Sequence, residues 1–282
     1  MLQVALPNKG ALSEDAFELV RAAGYQCRRG RHRLQDRDPD NNVEFTFLRP
    51  RDIATYVASG ILDLGVTGRD LALDSGADVQ ELMALRFGEA DFCYGVPQDT
   101  DLTPDDFDGL RIATSYDHIV RNDLDRRGLD AEVISLDGAV EISISLGVAD
   151  AVADVVQTGS TLRQAGLKTT GDPIVESEAI LVGRNDDADE REDVQHFMRR
   201  LRGIIVAREY VMVEYDVHED QLDAATDVTP GIESPTVSPL KKEGWLAVKA
   251  MSRQSKVNAI MDQLANLGAR GITVSEIQTC RI

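Results

Sequence analysis

Two α/β lobes followed by a βαββαβ module is the architecture that this 282-residue sequence predicts. Three observations carry it. Through the first two thirds of the chain, short apolar runs alternate with amphipathic stretches at helical spacing, as strands joined by helical crossovers do. After Glu209 the order becomes strand, helix, strand, strand, helix, strand, the split unit of a ferredoxin-like domain. Hydrophobic residues make up 43% of the chain, enough for ordinary cores, yet no run approaches the ~20 apolar residues of a membrane span.

Taken in order, Leu2–Leu6 is an apolar strand that ends at Pro7-Asn8-Lys9-Gly10. Ser13, Glu14 and Asp15 then open a helix with Ala16, Leu19, Val20 and Ala23 on one face, closed by Gly24. Arg51–Ser59 reads as a helix, Leu62–Thr67 as a buried strand, and Gly68-Arg69-Asp70 as the turn into another helix. A second set follows: strand Phe92–Val96, loop Pro97–Gly109, strand Leu110–Thr114, helix His118–Arg127, strand Glu132–Leu136, helix Ala139–Leu146 and strand Ala149–Val156. Ile174–Val182 reads as one further strand, and the charged run Asp186–Glu192 opens a helix that continues through Phe197, Leu201 and Ile204. In the last module the strands are Glu209–Asp216, Ser234–Pro239, Trp245–Met251 and Ile272–Cys280, and the helices Glu219–Thr226 and Val257–Leu267.

Charge narrows the range of partners. Lys and Arg number 30 against 49 Asp and Glu, a net charge of −19, so nucleic acid and anionic membrane are poor partners and any anionic ligand needs a local site. Only 6 of the cations are Lys, while 32 of the acids are Asp. That bias toward short hydrated carboxylates points to a protein adapted to high salt, where a dense acidic surface is screened. Cys27, Cys93 and Cys280 are few and far apart, with no C-x-x-C, and the N-terminus lacks a basic stretch followed by an apolar one. A reducing cytoplasm is the expected location.

The segment Asp154-Val155-Val156-Gln157-Thr158-Gly159-Ser160-Thr161-Leu162 leaves an apolar strand, crosses a hydroxyl-rich loop and enters a helical pattern. Gly159 lets the backbone approach a ligand closely, Ser160 and Thr161 offer hydroxyls, and a helix N-terminus would add free N–H groups, together a cradle for a phosphate. Asp154, at the strand end, suits ribose hydroxyls or metal-bound water. Taken alone, the same loop also reads as a strand-to-helix turn with an ordinary Ser/Thr cap. There is no G-x-x-x-x-G-K-[ST] and no G-x-G-x-x-G after a strand.

This loop, with Asp137-Gly138-Ala139-Val140-Glu141 and Leu146–Ala151 before it, resembles the long form of ATP phosphoribosyltransferase, the first enzyme of histidine biosynthesis. The likeness extends to Pro7–Ser13, Asp63–Gly68 with Asp70, Ile112–Tyr116 and Thr229–Thr236, and so covers essentially the whole chain. Gln157 and Ser160 depart slightly from the family pattern without removing a donor that a phosphate needs.

The resemblance implies two periplasmic-binding-protein-like lobes plus a C-terminal ferredoxin-like (βαββαβ) regulatory domain. The chain would cross near Gly88 and return near Gly183, giving lobe I as 1–88 with 184–207, lobe II as 89–183 and the regulatory domain as 208–282. It implies that the 5-phosphoribosyl group of phosphoribosyl pyrophosphate (PRPP) passes to N1 of ATP, with Mg²⁺ carried mainly on the substrate pyrophosphate. Asp154, Thr158, Gly159, Ser160 and Thr161 would hold PRPP, and Glu141 would orient a sugar hydroxyl or metal-bound water. Lys9 and Arg49 would face polyphosphate and Asp70 the nucleotide. Asp216, Ser234 and Thr236 would bind inhibitory histidine, in a homo-oligomer built from dimers toward a hexamer. Residue by residue, bland alternatives stay open: Lys9 and Arg49 as solvated charges, Glu141 as an exposed helix residue, Asp70 as a helix cap, Ser234 and Thr236 as turn formers. The alternative class is a non-catalytic bilobed binding protein with an amino-acid-sensing domain, which would not consume ATP.

Overall fold

The computed structural model describes residues 1–28, 34–184 and 190–281 and divides into two compact units. The first comprises Met1–Glu18 and Tyr25–Gln195, the second Leu19–Gly24 and His196–Ile282. Along the chain run β1 (Leu2–Pro7), α1 (Leu12–Ala22), β2 (Gln35–Asp38), β3 (Val43–Leu48), α2 (Pro50–Ala58), β4 (Leu64–Gly68), α3 (Arg69–Asp74) and β5 (Val79–Ala84). Then come β6 (Ala90–Pro97), β7 (Arg111–Thr114), α4 (Asp117–Arg127), β8 (Glu132–Ser135), β9 (Ala151–Val156), α5 (Ser160–Gln164), β10 (Leu167–Ser177), β11 (Ala179–Arg184) and α6 (Glu192–Glu209).

The first unit holds two mixed sheets. Lobe I orders its strands β2-β3-β1-β4-β11-β5, with β3, β1 and β4 parallel and β11 running against β4. Lobe II orders them β10-β6-β9-β7-β8, with β9, β7 and β8 parallel and β6 running against β9. The parallel strands are buried on both faces and so read as continuous apolar runs: all five residues of β4 are buried, and so are Ala151, Val152 and Ala153 of β9. Lobe II closes around Phe92, Tyr94, Phe107 and Ile112, all fully buried, each side chain contributing about 1.5–3 kcal/mol of transfer free energy.

Two segments join the sheets, and one differs from expectation. The outward crossing lies between β5 and β6. The return falls at Glu178 and not near Gly183, because the single strand expected over Ile174–Val182 is two strands: β10 pairs with β6 in lobe II, β11 with β4 and β5 in lobe I. Apolar residues flank the break on both sides, and the polar Glu176-Ser177-Glu178 between them is too short a gap to mark two strands in the sequence. Residues 179–183, expected in lobe II, therefore belong to the lobe I sheet.

The helix expected over Ala139–Leu146 is one short 3₁₀ turn, Val140–Ile142, followed by turns. Its serines bond back to the chain: Ser143 Oγ donates to Val140 O at 2.7 Å and Ser145 Oγ to Ile142 O at 2.8 Å, which competes with a helical ladder. Strands β2, β3 and β5, and the long β10 from Leu167 to Ile174, carry no separate reading in the sequence.

In the second unit, α6 is followed by β12 (Tyr210–His218), α7 (Leu222–Val228), β13 (Thr236–Pro239), β14 (Trp245–Arg253), α8 (Val257–Asn266) and β15 (Arg270–Glu276). The antiparallel sheet order β13-β14-β12-β15 is the ferredoxin-like one. Val211, Val213, Tyr215 and Val217 alternate inward from β12 onto Ala225 and Leu264 of the two helices. The last strand stops at Glu276, short of the expected Cys280. From His196 onward α6 groups with this unit, whereas the sequence assigns it to lobe I. The acidic run from Asp186 to Asp189 and His32 lie outside the described residues. Among the described residues no helix is long and apolar enough to cross a membrane.

Candidate active site

Open sheets with parallel strands bind ligands beyond the strands' carboxyl ends, and here both lobes place their candidate residues there. In lobe I, β1 leads to Lys9, β3 to Arg49 and β4 to Asp70, and these strands are neighbours, with Pro7 opposite Leu48 and Val4 opposite Leu64. In lobe II, β7 leads to Tyr116, β8 to Glu141 and β9 to the Thr158–Thr161 loop. A cavity of about 350 Å³ is lined by Val155 through Leu162 and by Ala11 from the loop after β1.

Gly159 sits at φ 67°, ψ 10°, in the left-handed region that a turn from β9 into α5 requires. A Cβ there would stand 2.9 Å from Arg163 Nη1, because the Arg163 side chain folds beneath the loop and donates from Nη2 to Thr158 O at 2.7 Å. Thr158 Oγ1 and Ser160 Oγ are 3.0 Å apart, so the hydroxyls of the loop converge. The expected helix is only five residues long, Ser160–Gln164, so its macrodipole is small and what the loop offers an anion is its own N–H groups and hydroxyls.

Three carboxylates and a tyrosine feel one another's charge near this loop. Asp154, expected at the strand end, lies within β9 two residues before its last, and has its carboxyl pKa raised by burial, against the opposing effect of the Val155 N–H that donates to Oδ1 at 2.8 Å. The negative charges of Glu141 and Asp70 raise it further, which places Asp70 of lobe I within electrostatic reach of two lobe II acids. Tyr116 is raised by burial, by the charge of Asp70 and by a hydrogen bond in which its hydroxyl donates to the Asp70 carboxylate.

Asp70 itself is 7% exposed and is not the cap of α3, a position held by Gly68. Its Oδ1 accepts from Ser177 Oγ at 2.7 Å and lies back over Gly68, where any Cβ would collide with it.

The cationic candidates stand apart from these acids in partnership as well as charge. Lys9 and Arg49 are exposed, and among the described residues neither has an ion-pair partner. Arg51 and Asp74 carry no functional signal in the sequence. Arg51 lies over the Tyr116 ring at 4.8 Å and pairs with Asp74 at 2.6 Å, while Asp74 Oδ1 accepts the His118 N–H at 3.0 Å in the first turn of α4, so the lobes are bonded to each other next to the site. Tyr116 follows a parallel strand and was findable by the carboxyl-end rule; Ser177, 107 residues from Asp70, had no sequence signal.

In the C-terminal module Asp216 and Thr236 share the face of the sheet opposite its core but are not adjacent. Asp216 lies opposite Ala247, and Ala247 opposite Ser238; Thr236 lies opposite Lys249, which pairs with Glu214 at 2.6 Å. One whole strand, β14, separates the two residues, and Ser234 is exposed in the loop before β13.

Among the described residues no three of His, Cys, Asp and Glu converge on a point that a metal ion could occupy. Among the described residues Cys27, Cys93 and Cys280 form no disulfide; Cys93, opposite Asp154 across β6 and β9, is buried with its thiol pushed up to about 11, chiefly by desolvation.

Comparison with known proteins meets this geometry from outside. The family model for ATP phosphoribosyltransferase (HisG) matches residues 49–203, and that for the HisG C-terminal domain matches 207–279. Curated proteins named ATP phosphoribosyltransferase are similar from end to end. That of Salinibacter ruber is 62% identical over 100% of both chains, and that of Corynebacterium glutamicum is 55% identical over 100% of both. Among solved structures, the ATP phosphoribosyl transferase (HisG:HisZ) complex of Thermotoga maritima superposes with a TM-score of 0.63 at 24% identity, covering 72% of this chain and 97% of that one, which shows a shared fold. With more than half of its length matched by the catalytic model and such relatives along all of it, the chain belongs to the ATP phosphoribosyltransferase family, the pentosyltransferases of the first step in histidine biosynthesis.

Proposed function

We propose that the crevice between the two lobes of the first unit binds PRPP on the lobe II side and ATP on the lobe I side and joins them. The observation that carries this reading is the placement of the Thr158–Thr161 loop and Asp154 beside Glu141, with Asp70 and Tyr116 completing the group from the neighbouring strand ends. In the reaction a bond forms between adenine N1 and ribose C1, and the bond from C1 to the pyrophosphate oxygen breaks. N1 already has a lone pair, so the protein's task is to position two polyanions and balance charge on the leaving group. The loop takes the 5-phosphate through N–H groups and hydroxyls, and Asp154 accepts from ribose hydroxyls, with Glu141 beside it. Asp70 contacts the nucleotide, and Lys9 and Arg49, with no ion-pair partner among the described residues, meet the polyphosphates. Magnesium enters as part of the substrate, neutralising pyrophosphate. Among the described residues the side chains do not form a cage of their own for it.

The C-terminal module, from about residue 208, is the regulatory part in this reading. Asp216, Ser234 and Thr236 bind histidine; since Asp216 and Thr236 are a strand apart within one chain, a second copy of the chain closes the site in a dimer-based hexamer. The enzyme works in a reducing cytoplasm, and its surplus of 49 acids over 30 cations, mostly Asp against Arg, suits molar salt. The test is pyrophosphate release in molar KCl with Mg²⁺, ATP and PRPP together and each omitted in turn, with and without histidine. Release that requires both substrates and falls with histidine supports enzyme and regulation together. Release indifferent to histidine removes the regulatory assignment, and tight ligand binding without release returns the molecule to the binding-protein class.

A further inference from the structure

Among the acids of the site, Asp70 is held from the most directions, and one of its holders lies on the return crossing between the lobes. Ser177, the last residue of β10, is 6% exposed. Its Oγ donates to Asp70 Oδ1 at 2.7 Å and accepts from the Asp70 N–H at 3.1 Å, both contacts buried. A hydroxyl that donates to a carboxylate while accepting from the same residue's amide fixes both the backbone and the side chain of that residue.

Ser177 is itself fixed by bonds on either side of it. Arg69 Nη1 donates to Glu176 O at 2.9 Å, and the Arg69 N–H donates to Glu178 O at 3.0 Å. The Glu178 carboxylate takes Arg69 Nη2 at 3.3 Å and the Arg86 N–H, on the outward crossing, at 3.0 Å. Arg69 is anchored in turn by a two-pronged pair with Glu81 of β5, at 2.9 and 2.8 Å. The position of the Ser177 hydroxyl is therefore a property of the crossings that join the lobes, and Asp70 inherits it. The Tyr116 hydroxyl reaches the same carboxylate from lobe II.

We propose that Ser177 is a positioning residue for ATP: it sets the orientation in which the Asp70 carboxylate meets the nucleotide, so that the geometry of the return crossing controls ATP affinity without touching the PRPP loop. This rests on the reading of Asp70 as an ATP contact. Freed from Ser177, the carboxylate rotates, and ATP has to order it again on binding. PRPP, held through the N–H groups and hydroxyls of Thr158–Thr161 and not through the Asp70 carboxylate, meets no such cost.

The experiment is a double-mutant cycle on the full-length enzyme with Ser177→Ala, Asp70→Asn and the pair, reading KM for ATP and for PRPP, kcat, and melting temperature. Ser177→Ala is expected to raise the ATP KM about tenfold, the worth of one charge-assisted bond, with the PRPP KM within about twofold of wild type. Asp70→Asn raises the ATP KM as well, and the double variant is no worse than Asp70→Asn alone, because the serine acts through the aspartate. Ser177→Thr, which keeps the hydroxyl, stays near wild type. An Asp70→Asn defect with a silent Ser177→Ala, or effects that add, overturns the proposal and leaves the ATP site standing. Equal loss in Ser177→Ala and Ser177→Thr, or a rise in both KM values alike, reduces Ser177 to packing and overturns it too. An ATP KM unchanged in Asp70→Asn removes the ATP reading itself, and the proposal with it.

Discussion

Gly159 offers the sharpest test of the phosphate cradle. Substitution by Val puts a β-branched residue at φ 67°, ψ 10°, where an L-residue costs about 1–2 kcal/mol before any contact is counted. Its Cβ would also stand 2.9 Å from Arg163 Nη1 and 3.8 Å from Val156 Cγ1. The guanidinium is the flexible end of its side chain and moves aside, losing its 2.7 Å bond to Thr158 O, worth about 1 kcal/mol in an exposed loop. The two contributions together favour a relaxed loop by about 2–3 kcal/mol. Because PRPP needs the unrelaxed one, its affinity falls roughly 30- to 150-fold at 1.4 kcal/mol per factor of ten. The loop is exposed and can relax locally, so the melting temperature moves little. The assay is initial-rate pyrophosphate release with PRPP varied at saturating ATP, alongside calorimetric ATP binding, which is expected to be unchanged. A Gly159→Val enzyme with wild-type KM for PRPP would falsify the cradle; a collapse of ATP binding in step with PRPP would show that the damage is global.

Three other outcomes follow from named contacts. Asp154 has its folded pKa raised by burial and by the charges of Glu141 and Asp70, so ionising it costs folding stability, and that cost sets in as pH rises above the ordinary carboxyl value. Asp154→Asn is therefore expected to melt higher than wild type at pH 7 and to lose that advantage in acid while being inactive; a lower melting temperature at pH 7 would refute the assignment. Arg69→Met breaks the network with Glu81, Glu178 and Glu176 O and is expected to cost about 1–3 kcal/mol in urea unfolding, with a loss under about 0.5 kcal/mol counting against it. In the C-terminal module Tyr215 OH lies 2.8 Å from Thr229 Oγ1 and donates to Ala225 O at 3.1 Å, so Tyr215→Phe should lower stability by about 1–2 kcal/mol without changing uninhibited kcat.

How far such contacts are legible in the sequence depends on their range. The βαββαβ order came through because β12 alternates strictly and its turns carry Gly and Pro, both local signals. Asp154 through Thr161 came through for a similar reason: an apolar strand ending in a hydroxyl-rich glycine loop occupies eight consecutive residues. The break at Glu178 did not, since Ile174–Val182 keeps the same apolar character on both sides while its hydrogen-bond partners change from β6 to β4 and β5. Nor did the failure of the helix at Ala139–Leu146, where apolar spacing outweighed serines that bond to their own backbone. The bonds around Asp70 are the extreme case. Asp70 lies on α3, Tyr116 just after β7 and Ser177 at the end of β10, and only the folded pairing of the two lobes puts the two hydroxyls on one carboxylate.

Charge acts on this enzyme at two distances, and salt separates them. A chain with a net charge of −19 repels PRPP and ATP over its whole surface, and the three carboxylates Asp70, Glu141 and Asp154 sharpen that field at the crevice. Lys9 and Arg49, unpaired among the described residues, attract the same anions only at contact range. The screening length is about 30 Å at 0.01 M salt, about 10 Å at 0.1 M and about 3 Å at 1 M, so added KCl removes the long-range repulsion first and the contact attraction last. The kcat/KM for PRPP is therefore expected to rise from low salt to about 0.1 M and to hold toward 1 M, the reverse of an enzyme whose cationic surface steers its substrate. Lys9→Ala should lower the whole curve without changing the sign of its initial slope. A kcat/KM that falls steadily from the lowest salt upward would mean that the local cations already govern the approach at long range, and the acidic surface would then need another explanation than tolerance of salt.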